Sequence, residues 1–289
     1  MIYLLLSILS SSAIYVVFKL LDRFKVNTLY AIIVNYLTAC VAGYLGLERA
    51  FTVEDTLSQQ WFWGAILLGV LFILVFNLMA LTTQKSGLSA VSVASKMSVA
   101  LPIIFVIFYY NETVGFLKIT GIALALIAVY LASIKSSNGI EIDRKTLIYP
   151  LLVFLGSGVI ETLIKLLEEN YVAKQDVALF STAIFICAAS IGITFGLIQY
   201  YKKKIKFTYK ELIGGIVLGI PNYYSVYFFI NALRSDMQST TVYILNHVAI
   251  VLLSTLIGIA IFHEKLIRKN WIGIALAVLS IILVAFTTQ

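Results

Sequence analysis

The chain has 289 residues, of which 61% are hydrophobic and 12% are charged, and its formal net charge is +7. Because soluble globular domains carry about 25% charged residues, this composition excludes a soluble protein and predicts an integral membrane protein. The basic residues lie between apolar runs. The positive charge therefore predicts contact with anionic lipid headgroups and no binding of nucleic acid.

Apolar runs of about 20 residues, the length that crosses a bilayer as a helix, recur along the whole chain. These runs are continuous rather than alternating, so they predict α-helices, which satisfy their own backbone hydrogen bonds in lipid. The polar stretch 135–146 is the predicted linker between a first half, 1–134, and a second half, 147–289. The ten predicted spans are residues 2–21, 28–46, 61–83, 88–108, 115–134, 147–167, 177–200, 211–233, 239–261 and 267–286.

The two halves share an internal repeat. The pentapeptide Gly-Ile-Ala-Leu-Ala begins at Gly121 and again at Gly273, 152 residues later, and the same offset sets Glu112 opposite Glu264. Each half has five predicted spans, an odd number, so the second half must enter the membrane upside down relative to the first. Inverted repeats with a binding site between them are the architecture of many secondary transporters. The sequence therefore predicts an all-α protein with two inverted five-helix repeats around a central cavity.

Loop charges predict the orientation. If the N-terminus is outside, the cytoplasmic connections contain 14 lysines and arginines, and the connections on the other side contain four. Since basic loops remain in the cytoplasm, this distribution predicts both termini outside a bacterial inner membrane. The N-terminus lacks a signal-peptide pattern and is interpreted as a retained first span.

These features resemble the drug/metabolite transporter superfamily, in particular its EamA-like branch. The resemblance rests on the two five-span halves, on Asn111-Glu112 and His263-Glu264 before the fifth span of each half, and on the repeated pentapeptide. It covers essentially the whole chain. It implies a ten-helix basket whose first, third, fourth, sixth, eighth and ninth spans surround the cavity. It also implies transport of a small metabolite such as an amino acid. The acidic residues Glu112 and Glu264 are implied to be topological markers and not binding residues.

Charged residues inside the spans are the first candidates for binding. Lys96 lies about eight residues into its span, roughly 12 Å by helical rise, which is too deep for its amine to reach the interface easily. We expect it to face the cavity and bind a carboxylate or phosphate, or to hold a partner acid. Glu161 and Lys165 lie four residues apart and form either a structural ion pair or a site where Glu161 binds an amine or a proton. Lys19 is interpreted as an anchor at the membrane surface.

Uncharged polar residues of the second half complete the candidate substrate site. Asn246 and His247 lie at nearly the depth of Lys96 in the corresponding span, and are either packing residues or ligands. Aromatic and amide side chains follow a proline in the eighth span and begin the ninth. These further candidates are Asn222, Tyr223, Tyr227 and Tyr243.

Other residues in the spans have structural interpretations. Pro102 and Pro221 each remove a backbone donor and predict irregular helix. Asn35 and Asn77 are predicted to make hydrogen bonds between helices. The two cysteines lie within spans and are expected to be packing residues.

No constellation of ligands for zinc is present in the sequence, and no GxxxxGK[ST] loop that would cradle phosphates. We therefore expect no catalytic residue, no metal and no cofactor. The expected partners are a small-molecule substrate, the lipid bilayer and protons as a coupling ion, with a monomer or a homodimer as the assembly. The alternatives left open are a multidrug exporter of the same fold, a membrane-embedded enzyme and a receptor that does not transport.

Overall fold

A computed structural model describes residues 2–46, 53–109, 116–133, 144–173, 176–203, 207–233 and 239–286. Within these ranges the regular elements are all helices. In chain order they are α1 (Ile2–Arg23), α2 (Thr28–Leu45), α3 (Val53–Leu57), α4 (Phe62–Ser86), α5 (Leu88–Met97), α6 (Ala100–Tyr109), α7 (Phe116–Ser133), α8 (Arg144–Tyr171), α9 (Val177–Lys203), α10 (Tyr209–Leu233), α11 (Ser239–Ala260) and α12 (Arg268–Phe286).

The described helices identify the chain as a multi-pass integral membrane protein. Six of them contain a stretch long and apolar enough to cross a bilayer, and these belong to α1, α2, α4, α8, α9 and α10. Shorter apolar segments add Leu88–Pro102, Ile119–Ala132 and Leu245–Ala260. Each predicted span is helical over most of its described residues; the exceptions are residues at the ends of some spans and a turn within the fourth. The count of ten spans and the inverted relation of the halves stay predictions.

The predicted fourth span is divided into two helices. α5 ends at Met97 and α6 begins at Ala100, with Ser98 and Val99 in a turn between them. Pro102 has no N–H with which to bond the Ser98 carbonyl in the α-helical pattern. That carbonyl instead accepts a tighter bond, 2.9 Å long, from Leu101 N. Pro102 thus interrupts the span, as predicted.

Pro221 has a different outcome, because α10 continues through it. This helix packs directly against the backbone of α2: a Cβ atom at Gly219 would lie only 2.7 Å from the carbonyl oxygen of Asn35. The proline therefore lies in a helix held along its length by a close neighbour. α10 is therefore not divided at Pro221, unlike the fourth predicted span near Pro102.

α12 and α7 form another closely packed pair. A Cβ atom at Gly273 would lie 2.6 Å from the backbone nitrogen of Ala132. The Ser280 hydroxyl donates a 2.6 Å hydrogen bond to the Gly121 carbonyl, and the Asn270 side chain donates to the Leu131 and Ala132 carbonyls at the end of α7. The repeated pentapeptide therefore begins in each case at a contact between these two helices.

The connections between α1 and α2, between α4 and α5, and between α9 and α10 are all predicted on the cytoplasmic face. Residues in or next to these connections contact one another. Gln84 Nε2, at the end of α4, donates to Thr28 Oγ1 at the start of α2 over 3.3 Å. Asn27 N donates to Glu211 Oε1 at the start of α10 over 3.1 Å. In the middle of the molecule, α5 packs against α1, α4, α7, α8, α11 and α12. The helix that carries Lys96 is therefore the most enclosed part of the described fold.

Candidate functional site

Two residues of opposite charge, Lys96 and Glu161, lie near the break in the fourth predicted span. Lys96, in the last turn of α5, and Glu161 of α8 lie within electrostatic range of each other. The Ser98 hydroxyl lies 2.6 Å from the Ser95 carbonyl oxygen and 3.3 Å from Glu161 Oε1, so it can donate to either acceptor. The buried Tyr15 hydroxyl of α1 shares a hydrogen bond with the Ser95 side chain and lies within electrostatic range of Glu161. We call these five residues the charged cluster.

The helix break helps to stabilise both charges. The carbonyl end of α5 carries partial negative charge and favours the Lys96 ammonium, which lies in its last turn. The N–H end of α6, which follows Ser98, carries partial positive charge and favours a carboxylate nearby. Ser98 supplies the contact with Glu161 from this side. The cluster can therefore hold a cation and an anion a short distance apart within the membrane-spanning part of the protein.

The charged cluster is assembled from both halves of the chain. Tyr15, Ser95, Lys96 and Ser98 belong to the first half, and Glu161 belongs to the second. The four-residue spacing had instead suggested Lys165 as the neighbour of Glu161. Lys165 lies on α8, but its side chain is outside the described residues. In the structure, the described partner of Glu161 is Lys96, which belongs to the other half of the chain.

A second polar group, the amide network, connects α2, α10, α1 and α11 without a charged residue. Asn222 Nδ2 donates to Asn35 Oδ1 over 3.2 Å, and Ser225 Oγ donates to the Asn222 carbonyl over 2.8 Å. Ser7 Oγ lies 3.1 Å from the Ser225 carbonyl and 3.3 Å from Asn246 Oδ1. All five side chains are buried. The network therefore satisfies several polar groups that would otherwise be costly inside the protein, and it leaves Asn35 Nδ2 without a partner among the described residues.

The remaining predicted site residues lie near this network. His247 is buried on α11 beside Asn246. Tyr223 and Tyr227 stack with ring centroids 6.1 Å apart; Tyr223 packs against α2 near Gly43, whereas Tyr227 is 44% exposed. Tyr243 lies on α11, but its side chain is outside the described residues. The eight candidates are thus divided between the charged cluster and the region of the amide network.

α1 connects the two polar groups, and sequence reasoning missed this role. Ser7 belongs to the amide network and Tyr15 to the charged cluster, about 12 Å apart by helical rise. Ser12 lies between them, almost fully buried, and its hydroxyl has no hydrogen-bond partner. A sequence signal was available, because polar residues recur every four positions at Ser7, Ser11, Tyr15 and Lys19. That spacing gives a helix one polar face.

Lys19 differs from the expected surface anchor. Its Nζ lies 3.8 Å from Glu264 Oε1 and 3.5 Å from the Thr83 carbonyl oxygen. Glu264 Oε1 also accepts a 2.8 Å hydrogen bond from Leu88 N, at the start of α5. Glu264 therefore has a definite structural partner in the other half of the chain. Its counterpart by the repeat, Glu112, lies outside the described residues.

The structural interpretations of the other polar residues have mixed outcomes. Asn35 makes the predicted hydrogen bond between helices, to Asn222. Asn77 instead donates to the Ile73 carbonyl of its own helix, over 2.8 Å. Cys40 and Cys187 are both free cysteines.

Comparisons with known proteins bear on the fold and the family. Residues 144–286 match the sequence model of the EamA-like transporter family. An uncharacterised protein of Haemophilus influenzae is 29% identical over 280 residues, which cover 94% of this chain and 93% of that protein. A crystal structure of a protein with 16% sequence identity matches with a TM-score of 0.59, over 97% of this chain and 96% of its own. The last match shows a shared fold, and the family match includes Glu161, Asn222 and Asn246.

Proposed function

The chain belongs to the EamA-like transporter family, whose members are transporters rather than enzymes, and from this premise we propose that it is a secondary transporter of small, amino-acid-like metabolites. The proposed substrate site is the charged cluster, between the two halves at mid-membrane. Transport would proceed by alternating access, with the halves rocking about this site.

The observation that carries the proposal is the pair of opposite charges on different halves. Lys96 on α5 and Glu161 on α8 lie within electrostatic range of each other, and the two helices are in contact. A charge left unpaired inside a membrane protein is costly, so each half supplies what the other lacks. A substrate that carries both a carboxylate and an amine can enter between them and pair with both, with no net charge left unpaired.

Each residue has a proposed role. Lys96 binds the substrate carboxylate, and Glu161 binds the amine or carries a proton as the coupling ion. The tyrosines stack on the substrate or donate hydrogen bonds to it, and the amide and imidazole groups line its route. Those supporting residues are Tyr223, Tyr227, Tyr243, Asn222, Asn246 and His247.

The cellular setting is part of the same proposal. The lysine-rich connections favour a bacterial inner membrane with both termini outside. The described helices supply apolar, lipid-facing side chains, for example on Leu9, Leu67 and Leu74. We propose a monomer or a homodimer that takes a small-molecule substrate and contacts the bilayer directly.

A binding screen tests the site and the substrate class together. Purified protein is heated with amino acids, sugar phosphates, nucleotides and lipophilic cations, as wild type, as Lys96→Ala and as Lys210→Ala. A ligand at about 100 times its Kd stabilises the folded state by about 2.7 kcal/mol. We expect a zwitterionic amino acid to raise the melting temperature of wild type and of the exposed-lysine control, Lys210→Ala, and not of Lys96→Ala.

Two results would contradict this assignment. A zwitterion that stabilises Lys96→Ala as much as wild type would remove Lys96 from the site. Stabilisation by lipophilic cations alone, equal in all three proteins, would favour a multidrug exporter of the same fold instead. A positive charge at Lys96 beside Glu161 argues against that second function, because it opposes the entry of a cation.

A further inference from the structure

Glu264 connects the two central helices at one end of the molecule. His263 before it adopts a left-handed backbone conformation, with φ of 52°. This turn brings the Glu264 N–H to the Gly258 carbonyl, 2.9 Å away, near the end of α11. The side chain of the same residue accepts a 2.8 Å hydrogen bond from Leu88 N at the start of α5. One residue therefore caps the end of α11 with its backbone and the start of α5 with its carboxylate.

The surroundings of this carboxylate are adapted to it. Gly87 has a φ of 97°, and a Cβ atom there would lie 2.6 Å from Glu264 Oε1, so only glycine fits the approach. A negative charge at the N-terminus of α5 is favoured by the helix dipole. Lys19 of α1 adds a cation 3.8 Å away, and the side chains of this pair are only 24% and 11% exposed. We call Lys19, Gly87, Leu88 and Glu264 the Glu264 latch.

At its other end, α5 is interrupted by a turn. There the helix stops at Met97, and the turn at Ser98 and Val99 separates it from α6. Lys96 lies immediately before this turn. α5 is thus a helix of ten residues that is fastened at one end across the two halves and interrupted at the other end beside the charged cluster.

From this arrangement we propose that α5 is a gate, closed by the Glu264 latch and hinged at Ser98 and Val99. When the carboxylate leaves Leu88 N, the start of α5 swings away from α11 and opens a route to the charged cluster from the latched end. The inference rests on the proposed transport function, because a gate has a role only in a protein that opens toward both sides of the membrane. It also explains why Lys96 lies beside the hinge, where movement of α5 changes its position.

Ser92 is a suitable reporter for this opening. It lies four residues from Lys96 on the same face of α5, toward the latch, and its side chain is fully buried. The chain contains two cysteines, so Cys40→Ser and Cys187→Ser give a background free of other thiols. The labelling rate of Ser92→Cys by a membrane-impermeant thiol reagent then measures access to the cluster from the latched end.

Three latch variants give graded expectations in that background. Glu264→Ala removes a hydrogen bond to a charged group and should raise the labelling rate about tenfold. Glu264→Gln keeps an oxygen for Leu88 N but loses the attraction to Lys19, and Lys19→Met loses the same attraction, so each should raise the rate about two- to threefold. The controls are Lys265→Met, the residue next to the latch, and Glu54→Ala, an exposed acid on α3; neither should change the rate.

The hinge has its own variant. Pro102→Ala restores the missing N–H and should join α5 to α6 as continuous helix. Added to Glu264→Ala, it should return the labelling rate toward that of the latched protein. A double variant that labels as fast as Glu264→Ala alone would overturn the assignment of the hinge.

Unchanged labelling in folded Glu264→Ala, or an equal increase in the two controls, would overturn the latch. If Glu264→Ala does not fold, Glu264→Gln and Lys19→Met decide: labelling equal to that of Lys265→Met overturns the latch in the same way. The labelling uses no substrate. A protein that transports nothing but opens in this manner would therefore contradict the proposed function and leave the gate standing.

Discussion

The helices at corresponding positions of the two halves differ in continuity. In the first half the span is broken between α5 and α6, and Lys96 lies in the last turn before the break. In the second half α11 runs without interruption from Ser239 to Ala260. The repeat sets Ser254 in the place of Pro102 and Val248 in the place of Lys96. The break and the cation are thus present in one half and absent at the matching positions of the other.

This difference indicates that the break and the charge belong together. An interrupted helix presents partial charges at its two new ends, and these favour Lys96 and a nearby carboxylate. An uninterrupted helix has used its backbone groups internally and has none to offer. α11 carries instead Asn246, an uncharged amide whose Oδ1 lies 3.3 Å from Ser7 Oγ of the neighbouring helix. The corresponding helices therefore contribute unequally: the first half supplies a cation beside a helix break, and α11 supplies a continuous wall.

The largest loss of stability is expected when α11 is interrupted as well. Ser254→Pro removes a backbone hydrogen bond and clashes with the preceding turn, so it should destabilise the protein by about 3 kcal/mol or more. Ser254→Ala is the control, since it loses only the hydroxyl contact to the Val251 carbonyl. Thermal unfolding in detergent measures both. A proline variant as stable as the alanine variant would show that α11 does not need to be continuous.

A somewhat smaller effect is expected when the charge pair is divided. Glu161→Gln leaves Lys96 without its acid and should cost about 2 to 3 kcal/mol, because the ammonium group is left unsatisfied in the interior. Adding Lys96→Met removes that charge and should recover most of the loss. Glu54→Gln, at an exposed acid on α3, is the control for the single change. If Glu161→Gln unfolds at the same temperature as this control, the two charges do not depend on each other.

The smallest effect is expected in the amide network. Ser7→Ala removes a hydroxyl that lies within hydrogen-bonding distance of the Ser225 carbonyl and Asn246 Oδ1, and it should cost about 1 kcal/mol. Ser10→Ala, on another face of the same helix, should be nearly neutral. Both are compared by thermal unfolding. A loss for Ser7→Ala as large as that for Glu161→Gln would mean that the uncharged network matters as much as the charged cluster.

Local features of the sequence predicted much of this fold. The length and hydropathy of each apolar run determine where helices lie, because both are properties of consecutive residues. Pro102 predicted irregular helix for a local reason, the missing N–H. Pro221 offered the same signal without the same result, since α10 is held against α2 along its length. Whether a proline interrupts a helix thus depends on its neighbours in space.

The partners of the candidate residues were harder to predict. The spacing of Glu161 and Lys165 suggested a pair on one helix, but the described partner of Glu161 comes from α5. The family resemblance implies that Glu264 is a topological marker, whereas its bond to Leu88 joins residues far apart in the sequence. Such contacts depend on tertiary packing, which a single sequence does not specify. The polar face of α1 is the exception, because the four-residue spacing of its polar residues is visible in the sequence.

Transport itself tests the central claim most directly. Purified protein in liposomes is given the labelled zwitterion that produced the largest thermal shift, as wild type, Lys96→Ala, Asn246→Ala and the exposed-lysine control Lys210→Ala. We predict that Lys96→Ala abolishes uptake, that Asn246→Ala lowers it only a few-fold, about what one neutral hydrogen bond contributes, and that Lys210→Ala matches wild type. Uptake at the wild-type rate by Lys96→Ala, together with its loss in Asn246→Ala, would contradict the claim and move the transport site from the charged cluster to the amide network.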